Sequence, residues 1–399
     1  MTRTRTADVN VRAAERQVRV EVVHDLASLR QHESALEELG AAAVDPNVFY
    51  EPWMLFPAVE AFGNDVDFLF VLAYASQSGP GERRQLTGFF PLVRKRGYRR
   101  VPVRHLCLWE YKYCSLCDPP LRSESARPTV SAVLDWLATM SGQSSVMECR
   151  YTSGDGQFRR VLGEILAERK ATIETVDAFV RPAFRPAADG DSYLKAALSG
   201  EYRRQMRRKA ERLAECGRVD YTTLDASGDV EHWLDSFLRL EASGWKGREG
   251  SALASTAVDR SFFLEIAREA FRRNRLIMQS LDLDGEPIAQ YCAFKAGAGS
   301  FDFKPAYDER YARYSPGSLL ELERLRFLHS QTELSWMDSC SAPDSYRNRI
   351  WRERRTIESL LLSAGGWKGD LFVSTIHQLR RSKRARTVAT FLANRLSWT

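Results

Sequence analysis

One order of elements occurs twice in this chain, about 200 residues apart, and any fold has to accommodate both copies. QVRVEVV (17–23) alternates like a strand, and DLASLRQHESALEELG and YEPWMLFPAVEAFG have helical spacing, the second with Pro57 expected to kink or end a turn. Strands over 67–74 and 86–96 flank the turn-rich SQSGPGERRQ. The aromatic segment HLCLWEYKYCSLC, a helix over 127–141, a strand over 145–150, a helix over 155–169 and a strand over 172–180 follow, and the prolines of VRPAFRPAADGD mark a boundary. A long polar helix, DSYLKAALSGEYRRQMRRKAERLAE, then leads into the second copy. That copy reads as a strand over 218–224, helices over 229–243 and 256–274, and a hairpin turning at Asp284-Gly285. The strand GSFDFKPAY, a helix over 316–330, a strand over 333–338, a short helical stretch over 344–351 and the strand RTIESLLL complete it. The pattern predicts an α/β (α+β) chain of two similar domains in tandem, residues 1–180 and 181–370, each a mixed twisted sheet flanked by helices. A tail over 371–399 remains.

Charge singles out that tail. The net charge is +6, and residues 371–399 hold six basic and no acidic side chains, so the other 370 residues balance at 52 basic against 52 acidic. Val388, Phe391, Leu392 and Leu396 have helical spacing beside the arginines, which predicts a basic amphipathic helix able to dock on the body, lie on an anionic membrane face or bind an anionic regulator. No run of eighteen uncharged apolar residues occurs and the N-terminus has no apolar core after its basic residues, so a cytoplasmic chain, peripheral at most to the inner membrane face, is expected. Seven cysteines without framework spacing fit reduced thiols. His105, Cys107, Cys114 and Cys117 form the one local cluster; it lacks a second tight pair and reads as buried thiols, with no metal expected.

Ser315-Pro316-Gly317-Ser318 opens the helix over 316–330 after a strand and a short aromatic segment. Ser315 caps with Pro316 at the first helical position, or Ser318 caps with Glu321 three residues on. Either start leaves unpaired N–H groups and a partial positive charge, a seat for phosphate or pyrophosphate. Gly317, Ser318 and Leu319 are its candidate donors, whereas Pro316 has no N–H. No nucleophile with an adjacent histidine appears, and there is no Gly-x-Gly-x-x-Gly or Walker loop.

Over residues 190–362 the chain resembles the GNAT-like acyltransferases of the bacterial cellulose biosynthesis (CelD/BcsL) family, relatives of the Fem peptidyltransferases. The resemblance rests on Leu240-Glu241-Ala242-Ser243-Gly244-Trp245-Lys246-Gly247, Ile288-Ala289-Gln290, Tyr307-Asp308, Tyr314-Ser315-Pro316-Gly317, Trp336-Met337-Asp338 and Tyr346-Arg347. The family often has a lysine where this sequence has Arg347. The resemblance implies acetyl-CoA or another acyl-CoA as co-substrate, its pyrophosphate on Ser315, Gly317, Ser318 and Leu319. It also implies N-acyl transfer, acetyl being the expected group, to an amino sugar or exopolysaccharide precursor. Direct attack on the thioester needs a route for the amine proton and a donor to the thiolate. Asp302, Asp338 and Glu241 are the candidate bases, Tyr307, Tyr314 and Tyr346 the candidate thiolate donors, and Trp245, Lys246, Gln290 and Tyr307 the candidate acceptor contacts. By the same analogy Arg380, Arg381 and Arg384 are candidates for cyclic-di-GMP. Arg204, Arg207 and Arg208 share a helix face that is either solvated or in contact with an anionic glycan, lipid or RNA, although nucleic acid is not the expected partner. Two other readings stand beside this one: Fem-like aminoacyl transfer from tRNA, and a non-catalytic GNAT-fold subunit of a polysaccharide machine.

Overall fold

The computed structural model describes residues 18–76, 84–99, 101–140, 145–187, 189–331 and 333–396, with side chains as far as Arg381. The first half runs β1 (Val18–Val23), α1 (Leu26–Arg30), α2 (Glu33–Ala42), α3 (Pro52–Phe62), β2 (Phe68–Ser76), β3 (Arg84–Lys95), β4 (His105–Leu108), α4 (Ala126–Thr139), β5 (Val146–Ser153), α5 (Gln157–Glu168) and β6 (Ile173–Phe184). Two linking helices follow, α6 (Gly190–Ala197) and α7 (Gly200–Ala214). The second half repeats the order with β7 (Val219–Thr223), α8 (Val230–Ser243), α9 (Trp245–Arg248), α10 (Ala257–Arg272), β8 (Leu276–Leu283), β9 (Glu286–Ala296), β10 (Gly299–Tyr307), α11 (Pro316–Ser330), β11 (Trp336–Asp338) and β12 (Glu353–Ser363). A last helix, α12, spans Trp367–Leu396.

All twelve strands join one sheet, in the order β1-β2-β3-β4-β5-β12-β6-β11-β10-β9-β8-β7. Each half has sent its last strand to the other. β12 pairs with β5 of the first half, β6 pairs with β11 of the second, and the two exchanged strands pair with each other from Glu353↔Ala183 to Leu362↔Ile173. Neighbours are antiparallel except at β4–β5 and β10–β11, the corresponding places in the two halves. The apolar core is continuous across the join: Phe49 meets Phe301 at 5.5 Å, Trp53 meets Phe294 at 5.7 Å and Phe62 meets Phe262 at 5.0 Å between ring centres.

Several sequence expectations need correction. β6 does not stop at the prolines: Pro182 pairs with Arg354 and its carbonyl accepts from the Ser339 N–H, so the missing donor leaves both neighbouring strands in place. The long polar helix is two, because Ser199 caps a new start through a hydrogen bond from the Tyr202 N–H. Pro57 lies within a single helix, α3, and residues 344–351 contribute only one 3-10 turn, Tyr346–Arg349. The predicted tail helix begins earlier, at Trp367.

The parallel pairing of β10 with β11 positions the candidate site. It lasts only from Gly299↔Trp336 to Phe301↔Asp338, while β10 continues to Tyr307. A register shift between Asp302 and Lys304 bends β10 where its partner leaves. A wedge therefore opens beside residues 302–307, and α11 starts just beyond its end. At the closed end, a Cβ on Gly299 would lie 2.0 Å from the Trp336 ring, so glycine is what lets the two strands close there.

Candidate active site

Ser315 is the residue that starts α11, and it does so in the left-handed region, at φ 55° and ψ 54°. Its carbonyl accepts from the Ser318 N–H at 2.9 Å and the Leu319 N–H at 3.1 Å, so two of the three expected backbone donors close the first turn. The Gly317 amide remains as the donor at this end, and there is room beside its Cα: the nearest atom a Cβ would meet is in the Tyr307 ring at 4.0 Å. The Ser315 hydroxyl is not a cap; it accepts from Lys209 Nζ at 2.5 Å. Burial raises the Tyr202 hydroxyl pKa, against the pull of Ser318 and the Arg349 charge beside it. A lysine and an arginine thus add positive charge to the helix end. Lys209 and Tyr202 were missed in the sequence; their signal was the spacing Tyr202, Met206, Lys209, Leu213 along one face of α7, with Met206 and Leu213 buried.

Under the wedge lies a buried ionic cluster. Phe301 and Phe303 pack into the core on one face of the sheet, and Asp302 points to the other, where Arg324 Nη2 reaches it at 2.5 Å. The Tyr291 hydroxyl bonds both Asp302 and Arg347. Glu321 accepts from Trp351 Nε1 at 2.7 Å and lies 3.4 Å from Arg324 and 3.5 Å from Arg347. Two carboxylates and two guanidiniums balance, with the Tyr291 ring 3.7 Å under the Arg324 guanidinium. Burial raises the Asp302 pKa against the pull of Arg324 and Arg347. Burial works against the charge on Arg324, but Asp302, Tyr291 and Glu321 together outweigh it and keep the guanidinium charged. Tyr346 tops this cluster, its ring 5.2 Å from the Arg347 guanidinium; part of the residue reaches solvent, but desolvation of the hydroxyl end raises its pKa against the pull of Arg347, so it holds its proton at neutral pH.

Asp338 is fully buried where the exchanged strands meet. Arg181 Nε of β6 lies 2.6 Å away, Arg355 Nη1 of β12 lies 2.8 Å away, and the Cys340 N–H donates at 2.9 Å. Burial would raise its pKa, but Arg181 and Arg355 outweigh burial and hold the carboxyl below its ordinary value.

Glu241 faces the opposite side of β10. It accepts from Lys304 Nζ at 3.0 Å, Lys246 Nζ at 3.2 Å and the Leu253 N–H at 2.8 Å. Burial lowers the Lys246 pKa against the pull of Glu241, and the same ammonium donates to the Pro305 carbonyl at 2.7 Å. Trp245 and Tyr307 stand exposed beside it, so Glu241, Trp245, Lys246 and Tyr307 come together at the end of β10. Gln290 does not join them: it is buried in β9, accepting from the Ser236 hydroxyl at 3.3 Å. Arg380 is far along α12, paired with Glu174 at 3.2 Å; Arg381 is exposed, and the Arg384 side chain lies outside the described residues. Cys114 and Cys117 are buried with their sulfurs 3.7 Å apart.

A parallel pair that splays at a bulge, with a helix start carrying a free amide after the longer strand, can seat an extended ligand with an anionic end. Residues 200–348 match the acetyltransferase (GNAT) domain family. Over those residues the chain is similar to GNAT acyltransferases. No curated protein matches the chain. Among solved structures, FemX aligns with 86% of this chain and 97% of its own at 10% identity and a TM-score of 0.50. A conserved protein of unknown function from Bacteroides thetaiotaomicron aligns with 86% and 99% at 10% identity and a TM-score of 0.51. The C-terminal domain (DUF2156) of a putative lysylphosphatidylglycerol synthetase from Agrobacterium fabrum aligns with 86% and 95% at 13% identity and a TM-score of 0.49. The first two alignments span nearly the whole of those chains, so the likeness is to the doubled fold and extends beyond the GNAT domain.

Proposed function

We propose that this protein transfers an acyl group, with acetyl as the simplest case, from acyl-CoA to the amine of an amino sugar or exopolysaccharide precursor, as the CelD/BcsL-like motifs suggest. The observation that carries the reading is the wedge at residues 302–307 leading to the Gly317 amide beside Lys209. An extended pantetheine arm would lie along the free edge of β10, and the pyrophosphate would rest at the α11 start. The amine nitrogen attacks the thioester carbon, the carbon–sulfur bond breaks, the thiolate takes a proton and the new amide nitrogen loses one.

Tyr346 is the proton donor to the thiolate in this scheme. Glu241 is the carboxylate that acts on the acceptor side, through Lys246 and Lys304. Asp302 and Asp338, each locked by two arginines, are positioning residues. A second reading, transfer from aminoacyl-tRNA, has one observation in its favour: Arg203, Arg204, Arg207 and Arg208 are all exposed along α7. Isothermal titration with acetyl-CoA, followed by thiol release with a panel of amino sugars, tests the proposal. Saturable binding and amine-dependent thiol release are expected. No binding at millimolar acetyl-CoA would overturn it, and binding of charged tRNA in its place would favour the second reading.

A further inference from the structure

The overall charge balance of the body conceals a dense local cluster. Residues 94–104, RKRGYRRVPVR, hold six basic and no acidic side chains and span the end of β3 and its connection to β4. Arg94 is paired with Asp67 at 2.7 Å. Lys95, Arg96, Arg99 and Arg104 are exposed and make no ion pair among the described residues. Clefts of about 480 and 700 Å³ flank this hairpin; the first is lined by Lys95, Arg96 and Arg104 with Asp65 and Asp67, the second by Lys95, Arg99 and Arg380 with Glu148 and Asp177.

α12 lies against the same hairpin. Phe372 meets Tyr98 edge-on at 5.7 Å, and Val373 is buried with Val146, Val176 and Leu361. That packing fixes which face of the helix looks outward. Trp367 is 72% exposed and Leu371 is 60% exposed, one turn apart on the outer face, and Val101 at the hairpin is 43% exposed. Beyond Asp370 the helix sequence has no acidic residue. The helix is about 45 Å long at 1.5 Å per residue.

From this juxtaposition we infer that the β3–β4 hairpin and the outer face of α12 form one surface that docks on an anionic phospholipid bilayer. The unpaired cations complement the headgroup charge, and the clefts beside the hairpin are large enough for lipid phosphates. Trp367 and Leu371 supply what a purely electrostatic nucleic-acid surface does not need, apolar side chains held out toward the acyl boundary. Each cation near such a surface contributes about 1 kcal/mol, roughly fivefold in partitioning, so loss of two costs about 30-fold.

The test is flotation of the full chain with vesicles of phosphatidylcholine containing 30% phosphatidylglycerol, at ~0.1 M salt. The expected result is binding that disappears with pure phosphatidylcholine vesicles, falls about 30-fold in Arg96→Ala/Arg99→Ala, and falls again in Trp367→Ala/Leu371→Ala. All four side chains are exposed, so both variants keep the parent's thermal midpoint. The inference is overturned by equal binding to neutral vesicles, or by a hairpin variant that binds as the parent does. It is overturned too if Trp367→Ala/Leu371→Ala leaves flotation unchanged, or if the chain retains a single-stranded RNA but no vesicles.

Discussion

Replacing Gly317 with aspartate separates the anion seat from the helix that makes it. The new Cβ meets nothing closer than the Tyr307 ring at 4.0 Å, so the fold accepts the side chain without a clash. A carboxylate in the first turn of α11 also interacts favourably with the helix dipole, by about 0.3 to 1 kcal/mol. Stability should therefore hold or rise slightly. Ligand binding should move the other way. At about 6 Å, with an effective dielectric near 40, each unit of phosphate charge is repelled by about 1.4 kcal/mol, so a pyrophosphate loses roughly 2 to 3 kcal/mol. That is roughly a 30- to 150-fold weaker Kd for CoA. Gly317→Ala, which adds the Cβ without the charge, should stay close to the parent. Calorimetric titration with CoA and a thermal melt of each variant check both signs. If Gly317→Asp keeps its melting midpoint and binds CoA within threefold of the parent, the pyrophosphate does not rest on α11.

Three other perturbations test the fold that holds the site. Asp338→Asn leaves Arg181 and Arg355 without their shared carboxylate and should cost about 3 to 5 kcal/mol in urea unfolding. Because the Asp338 pKa is lowered on folding, its contribution is present above the ordinary carboxylate range and is lost as pH falls through the lowered value, so the variant should show a shallower acid limb. Asp118 behaves in the opposite sense. Burial pushes its pKa from 3.8 to about 7 and its Oδ2 has no hydrogen-bond partner, so the folded chain binds that proton more tightly than the unfolded one. Stability should fall by up to ~4 kcal/mol between pH 4 and 7 and then level off, and Asp118→Asn should flatten this slope. Urea midpoints at four pH values decide it. Gly299→Ala forces a methyl into the Trp336 ring and should cost about 1 to 3 kcal/mol, with a change in near-ultraviolet circular dichroism.

Local periodicity was enough to predict the doubled order of elements, because each strand and helix records its own burial in its spacing. Pairing partners leave no such record. Nothing in RTIESLLL says that it will lie beside VMECRYTS of the first half, some 200 residues earlier. The same limit applies to the site. Alternation along Phe301-Asp302-Phe303 turns Asp302 away from its two aromatic neighbours and leaves it a cleft or water to face; that it meets cations instead depends on Arg324 and Arg347, which approach from other elements. Asp338 meets an arginine 157 positions away. By contrast the start of α11 was legible, since the serine, proline and glycine that shape it are consecutive. Only its donor set changed, when two of the three amides turned out to bond the Ser315 carbonyl.

The exchange of β6 and β12 has a consequence for biosynthesis. β5 is an unpaired edge until β12, near the end of the chain, has left the ribosome. At about 5 to 20 residues per second, some 200 residues of further synthesis separate the two, so this edge waits tens of seconds for its partner. β5 and β12 make a pairing of long loop closure, the slow kind. An early stop or a fragment ending after β11 would leave two strand edges open at the centre of the sheet, where an isolated first half could pair with another copy of itself.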